Sequence, residues 1–358
     1  MRIVLVGGHL SPALAVIEKL KNEEVFFIGR RHAFEADNSL SLEYQEITKL
    51  NIPFFNITSS RLQRKFTKDT LFSLSKLPIS VTQSINILRK IKPDVVLGFG
   101  GYVCLPVALA ARALKIPVVI HEQTLEAGFA NKIVSRFAGK ICISWESSFA
   151  FFPKGKTILT GNPLKKDILD SKENIKIQNK IPVIYVTGGS TGSHAINILI
   201  EKNLEKLLKD YIIIHQTGDA KGYDDYDRLS AIKSETYIVG KFFTAKEAAL
   251  YINNADLIIG RAGINTVTEL IFLEKPSLLI PLPVSQKNEQ LKNAKFLKQL
   301  GLGEFLMQDE VTDEEFMSKI NFMINNLQNY RLNEKVIKLN AAQKIVEVLK
   351  DVSRKKTA

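Results

Sequence analysis

Two stretches decide the fold. They are Arg2-Ile3-Val4-Leu5-Val6-Gly7-Gly8-His9-Leu10-Ser11-Pro12 at the head of the chain, and Val183-Ile184-Tyr185-Val186-Thr187-Gly188-Gly189-Ser190-Thr191-Gly192-Ser193 near its middle. Each is an apolar run that stops at glycines and then turns amphipathic. An apolar run without alternation marks a strand covered on both faces, as in parallel sheets. Glycines at its end let backbone N–H groups approach a ligand, and the following helix N-terminus adds partial positive charge. Because the unit occurs twice, the chain reads as two Rossmann-like α/β domains in tandem, facing a cleft lined by glycine turns of both.

Working outward, Val25–Ile28, Asp94–Leu97, Val118–Ile120 and Lys140–Ser144 continue the first series of strands, with helices over Pro12–Asn22, Leu77–Lys92 and Leu105–Leu114. The second series runs through Tyr211–His215, Thr236–Val239, Leu257–Ile259 and Ser277–Ile280. Between them lie Gly161-Asn162-Pro163 and a polar stretch from Lys172 to Lys180, which place a domain boundary near 161–180. Residues 330–358 read as a helix ending in a basic tail. A length of 358 residues suits two domains, with core enough to need no disulfide or metal.

Charge narrows the partners. The chain carries a net +12, of which +9 falls in residues 1–160. The excess is densest from Arg61 to Lys92, at +7. There Arg64, Lys65, Lys68 and Lys76 alternate with Phe66 and Phe72. Basic side chains around apolar ones suit an anionic membrane surface. The plainer account is a helix pair with its apolar face in the core. No nucleic-acid-binding motif accompanies the stretch. The start of the chain lacks the shape of a signal peptide, and no apolar run is long enough to span a bilayer. Two cysteines without a CxxC pair argue against a disulfide framework and fit a reducing compartment. The five histidines show no metal-ligand spacing, so no metal and no cofactor is expected. Asp225-Tyr226-Asp227 resembles a DxD metal motif, but its polar setting reads as a solvated loop.

Each glycine turn has a structural and a chemical reading. Gly7-Gly8-His9 is either a tight turn or a phosphate approach with a general base. Gly98-Phe99-Gly100-Gly101-Tyr102 lacks dinucleotide spacing. Gly188–Ser193 suits an anion nest, or a helix cap through Ser190 and Ser193. In Arg261-Ala262-Gly263-Ile264-Asn265-Thr266-Val267-Thr268-Glu269, Thr266 and Glu269 fit a capping box. Glu269 equally fits a carboxylate that holds ribose hydroxyls.

Taken in order, these motifs resemble the MurG family of UDP-GlcNAc-dependent transferases of peptidoglycan synthesis, glycosyltransferase family 28 with the GT-B fold. The resemblance also rests on His121-Glu122-Gln123, Asn131-Lys132, Gly161-Asn162-Pro163, His215-Gln216-Thr217-Gly218, Gln290 and Asn293-Ala294. It implies a metal-independent, inverting transfer of N-acetylglucosamine from UDP-GlcNAc to the muramoyl sugar of an undecaprenyl-diphosphate lipid (lipid I). The place implied is the cytoplasmic face of the bacterial cell membrane. Residues 1–162 would bind acceptor and membrane, residues 163–339 the donor, and a helix at about 340–358 would return to the first domain. Carried over by position, His9 is the base, with Glu126 in reserve. Gly7, Gly8, Gly100, Gly101 and Tyr102 meet the acceptor diphosphate. Phe243 lies against uracil, Glu269 takes the ribose, Ser190 with Gly263, Ile264, Asn265 and Thr266 holds the donor diphosphate, and Gln290 takes the sugar. Thr124, Lys165 and Glu289 complete the donor set; the family usually has asparagine, arginine, and glutamine or histidine there. The first glycine loop is shorter than the family's. That leaves two alternatives: a related enzyme with another lipid acceptor, such as diacylglycerol, and a non-catalytic UDP-sugar-binding protein.

Overall fold

The computed structural model describes residues 1–32, 39–58, 77–172, 181–189, 191–220, 222–285 and 288–357. The chain divides into two compact units, Met1–Lys165 with Lys338–Ala358, and Lys166–Ile337.

The first unit is built on a parallel sheet of β1 (Arg2–Val6), β2 (Glu24–Gly29), β3 (Phe54–Asn56), β4 (Val95–Gly98), β5 (Val118–Glu122), β6 (Lys140–Ile143) and β7 (Thr157–Leu159). Their order is 3-2-1-4-5-6-7. Alternate β1 residues explain the unbroken apolar run. Val4 and Val6 enter one core with Leu88, Val107 and Ile120, while Ile3 and Leu5 enter the other with Val16, Phe27 and Ile47. Helices α1 (Leu10–Ile17), α2 (Leu42–Lys49), α3 (Leu77–Ile91), α4 (Gly101–Ala113) and α5 (Phe129–Val134) supply the cover. The last helix of the chain, Ala341–Thr357, adds Ala342, Ile345, Val346 and Leu349 to the second of these cores.

The second unit repeats the plan. Its strands are β8 (Val183–Thr187), β9 (Ile212–Gln216), β10 (Tyr237–Gly240), β11 (Leu257–Gly260), β12 (Ser277–Leu279) and β13 (Gly303–Phe305), ordered 10-9-8-11-12-13. Its helices are α6 (Lys166–Ser171), α7 (His194–Asp210), α8 (Asp225–Ser230), α9 (Ala245–Asn254), α10 (Ile264–Leu273), α11 (Glu289–Gln299) and α12 (Asp313–Asn325). In both sheets the strand order reverses beside the first strand, between β1 and β4 and between β8 and β11. Ligands of open α/β sheets bind beyond the carboxyl ends of strands at such a reversal. The glycine turns after β1, β4, β8, β9 and β11 follow strands at or beside these two reversals, whereas Gly161-Asn162-Pro163 follows the edge strand β7.

Three expectations need correction. The final helix begins at Ala341, not 330. Asn333 holds the preceding chain in irregular form: its N–H donates to the Leu300 carbonyl (3.0 Å) and its Nδ2 to that of Gln299 (3.2 Å). Asp225 is not in a solvated loop; it opens α8 and is buried. Thr266 does not cap α10. Gly263 is the N-cap and Thr266 lies inside the first turn, so the Thr266–Glu269 capping box does not form.

Candidate active-site turns of the two units

In the first unit two glycine turns touch. A Cβ on Gly8 would stand 2.4 Å from the Gly100 carbonyl oxygen, and one on Gly101 3.1 Å from the Gly8 Cα. Only bare backbone allows that approach. Gly100 and Gly101 also take left-handed φ values of +77° and +73° as they lead into α4, where Tyr102 is half-buried in the first turn. His9 is the N-cap of α1, and its side chain makes no capping bond. His9 is half-buried, and desolvation by its surroundings lowers its pKa to about 4, so the imidazole is neutral at pH 7. The carboxylate of Glu43, from α2, closes the β2 side of the turn. Gly8 N–H donates to its Oε1 (3.2 Å) and Arg30 N–H to its Oε2 (3.4 Å).

On the β5 side, buried Glu122 accepts four hydrogen bonds. They come from the Thr124 N–H (3.1 Å), the Thr124 hydroxyl (2.6 Å), the Gly128 N–H (2.8 Å) and Asn131 Nδ2 (3.0 Å). Asn131 in turn lies beside Gly100, its amide nitrogen 3.3 Å from where a Cβ would be. His121 is buried, with Nε2 3.2 Å from both the Gly161 carbonyl and the Ser144 hydroxyl, and its pKa falls to about 4 by desolvation.

The second unit shows the same device. A Cβ on Gly192 would lie 2.4 Å from the Thr217 carbonyl, and one on Gly218 2.2 Å from the Gly192 Cα, so the turns after β8 and β9 pack backbone to backbone. A buried polar chain holds them. His215 pairs with Tyr237 Oη (3.1 Å) and Asn197 Oδ1 (3.0 Å), and Asn197 Nδ2 donates to the Thr217 carbonyl (3.1 Å) and to Asp225 Oδ2 (2.8 Å). Asp225 also meets His194 Nδ1 and Arg228, each at 2.8 Å. Desolvation holds the His215 pKa near 3.

Across the strand reversal, Arg261 donates to the Ile280 carbonyl (3.0 Å) and to Gln308 Oε1 (2.6 Å). Asn293 of α11 donates to the Ala262 carbonyl (3.0 Å), and Gln290 Oε1 accepts from Leu282 N–H (2.9 Å). The start of α10 at Gly263–Thr266 is thus braced from both sides. Its first N–H groups have no intrahelical acceptor, which is the geometry that favours an anion.

The Glycosyltransferase family 28 N-terminal domain matches residues 6–143, and the Glycosyltransferase family 28 C-terminal domain matches residues 183–349. The chain belongs to glycosyltransferase family 28. Two curated relatives are each called UDP-N-acetylglucosamine--N-acetylmuramyl-(pentapeptide) pyrophosphoryl-undecaprenol N-acetylglucosamine transferase. The one from Lachnospira eligens is 31% identical over 99% of both chains, and the one from Clostridium perfringens is 33% identical over 98% of both. Among solved structures, MurG of Acinetobacter baumannii superposes with a TM-score of 0.72 at 26% identity, covering 98% of this chain and 99% of that one. The resemblance to the MurG family and the tandem Rossmann-like fold are borne out, and the family 28 chain is a glycosyltransferase.

The remaining residues singled out in the sequence of this family 28 chain fall as follows. Thr124 is buried, its hydroxyl between Glu122 and the Glu126 carbonyl, and Glu126 is half-buried. Lys165 is half-buried just ahead of α6, and Glu289 is the first residue of α11. Phe243 is half-buried below Gly240, edge-on to Tyr251 at 4.9 Å. Ser190 and the patch Arg64, Lys65, Phe66, Lys68, Phe72 and Lys76 lie outside the described residues. Sequence reasoning missed Glu43, which no motif marks. It also missed Tyr185, a buried β8 residue that packs toward Phe243 and Tyr251. The Tyr185 pKa is raised, first by burial and then by the charge of Glu269.

Proposed function

We propose that the chain transfers N-acetylglucosamine from UDP-GlcNAc to the muramoyl sugar of an undecaprenyl-diphosphate-linked acceptor, lipid I, and so makes lipid II. The observation that carries this reading is identity of 31–33% over essentially the full length to transferases named for that donor and acceptor. The proposed reaction is a single displacement with inversion. The acceptor hydroxyl oxygen bonds the anomeric carbon, the bond to the diphosphate oxygen breaks, UDP leaves, and His9 takes the hydroxyl proton. A neutral imidazole is the form that accepts a proton. The leaving diphosphate carries growing negative charge, and the α10 N-terminus at Gly263–Thr266, with Ser190 and Lys165, is the proposed metal-independent counterpart. Glu269 holds the ribose, Phe243 the uracil and Gln290 the sugar, and Thr124 and Glu289 complete the proposed donor set. The turns Gly7-Gly8 and Gly100-Gly101-Tyr102 take the acceptor diphosphate. Glu126 is the alternative base.

The proposed location is the cytoplasmic face of the cell membrane, without spanning it; no described helix is long and apolar enough to cross. The basic, phenylalanine-studded sequence around Arg64–Lys76 supports this. Replacing Lys65, Lys68 and Phe72 is expected to weaken binding to anionic vesicles, most visibly at low salt. Equal binding would refute the membrane reading.

The activity is tested by incubating purified protein with labelled UDP-GlcNAc and a lipid I analogue and resolving the disaccharide product. Transfer to diacylglycerol alone would overturn the proposed acceptor. Donor binding with no turnover on any lipid would leave the non-catalytic reading.

A further inference from the structure

Glu43 sits in a place made for it. The carboxylate lies over Gly7 and Gly29, at the carboxyl ends of the adjacent strands β1 and β2. A Cβ on Gly7 would stand 2.1 Å from Glu43 Oε1, and one on Gly29 2.5 Å from Oε2. Two neighbouring strands therefore end in bare backbone where the carboxylate enters. Its two oxygens are divided between those ends, Oε1 to the Gly8 N–H and Oε2 to the Arg30 N–H. Its helix is anchored to the same strand end. The Ser41 hydroxyl caps α2 by accepting from Tyr44 N–H (3.0 Å) and donates to the Arg30 carbonyl (2.6 Å).

We infer that Glu43 is the positioning residue of the first glycine turn: its carboxylate ties Gly8 to the end of β2 and thereby fixes where His9, the next residue, presents its imidazole. The inference rests on the reading in which His9 receives the acceptor proton. A short loop with few backbone bonds of its own needs such a tie. Gly7 N–H extends the sheet to the Ile28 carbonyl (2.9 Å), whereas Gly8 N–H has the side chain of Glu43. Burial raises the Glu43 carboxyl pKa above the ordinary carboxylate value, and the two N–H groups and the Arg30 charge offset only part of that rise. Displacing a catalytic group by about 1 Å is enough to cost about a hundredfold in rate, so a tie at this residue acts on kcat rather than on donor binding.

The test compares Glu43→Ala, Glu43→Gln, Gly7→Ala and the Glu43→Ala/Gly7→Ala double variant in steady-state transfer to a lipid I analogue. Glu43→Ala is expected to lower kcat by about tenfold or more, on the scale set by misplacement of a catalytic group, with the KM for UDP-GlcNAc unchanged. Glu43→Gln keeps an oxygen for one N–H but turns its NH2 on the other, and falls between Ala and wild type. Gly7→Ala fills the seat of the carboxylate and matches Glu43→Ala. In the double variant the loss in kcat is no larger than in Glu43→Ala, because the atoms nearest a Cβ on Gly7 all belong to Glu43, and any effect of Gly7 on the acceptor diphosphate is read separately in the KM for the lipid analogue. Wild-type kcat in Glu43→Ala, a raised donor KM with kcat intact, or losses that multiply in the double variant would each overturn the inference. Amide exchange of residues 6–10, measured with UDP bound, gives a readout without turnover: faster exchange in both single variants supports the tie, and unchanged exchange refutes it. Absence of transfer by the wild type would count against the proposed activity instead.

Discussion

Burial makes His9 neutral and, by the same physics, a weak base. In the proposed role as base, a pKa near 4 has it take a proton only as the acceptor oxygen bonds carbon and its hydroxyl acidifies. His9→Ala is expected to lower kcat by about 10²–10⁴-fold, the usual contribution of a positioned acid or base, with UDP affinity in calorimetry unchanged. If kcat is retained, the proton goes elsewhere, Glu126 being the first alternative. For Glu269 the two sequence readings now separate. Helix α10 starts at Ile264, so Glu269 lies beyond its first turn and has no capping duty. Glu269→Ala should therefore weaken UDP binding severalfold while the melting temperature holds; a fall in melting temperature with UDP binding intact would restore a structural role. His9 stood out in the sequence because glycines precede it at a strand end, and Glu269 because it follows the Gly263 turn by six residues. Glu43 was silent, since the partner it ties is distant in sequence and only parallel pairing of β1 with β2 brings them together.

Among the elements, the turns after β8 and β9 depend on one buried amide. Asn197 of α7 joins His215, the Thr217 carbonyl and Asp225. Asn197→Leu strands those groups, and an unsatisfied buried polar atom costs about 1–3 kcal/mol. Urea unfolding should show a loss of at least that size together with weaker UDP binding, and an unchanged midpoint would deny the network its role. Strand and helix identity was largely readable, because buried parallel strands give long apolar runs. The strands that went unread, Phe54–Asn56, Thr157–Leu159 and Gly303–Phe305, are too short to show a period. Asp225 was misread because its polar neighbours resemble a loop, while its own burial comes from His194, Asn197 and Arg228 arriving from outside the motif.

For the whole molecule, three histidines set an acid limit. His9, His121 and His215 have folded pKa values of about 4, 4 and 3, against 6.5 for the free side chain. Between those values the unfolded chain binds protons that the folded chain refuses. Stability is therefore full above about pH 6.5 and falls as pH drops toward 4. Calorimetric melting between pH 7.5 and 5 should show a steady decline, and a flat profile would mean that these rings charge without unfolding. The two-unit plan was legible from the repeated strand–glycine–helix pattern, whereas the return of the last helix to the first unit was implied by the family resemblance and by no periodicity; there it adds Ile345 and Leu349 to a core.

That helix has a consequence for how the molecule is made. Residues 166–337 form one uninterrupted unit, whereas the first unit needs residues 338–358 to cover Leu5, Val95 and Leu97. During synthesis the usual order, in which N-terminal domains fold first, is reversed here: the second unit has its whole sequence available while the first sheet still exposes one apolar face. The newly made chain thus carries an open sheet until residues 338–358 leave the ribosome.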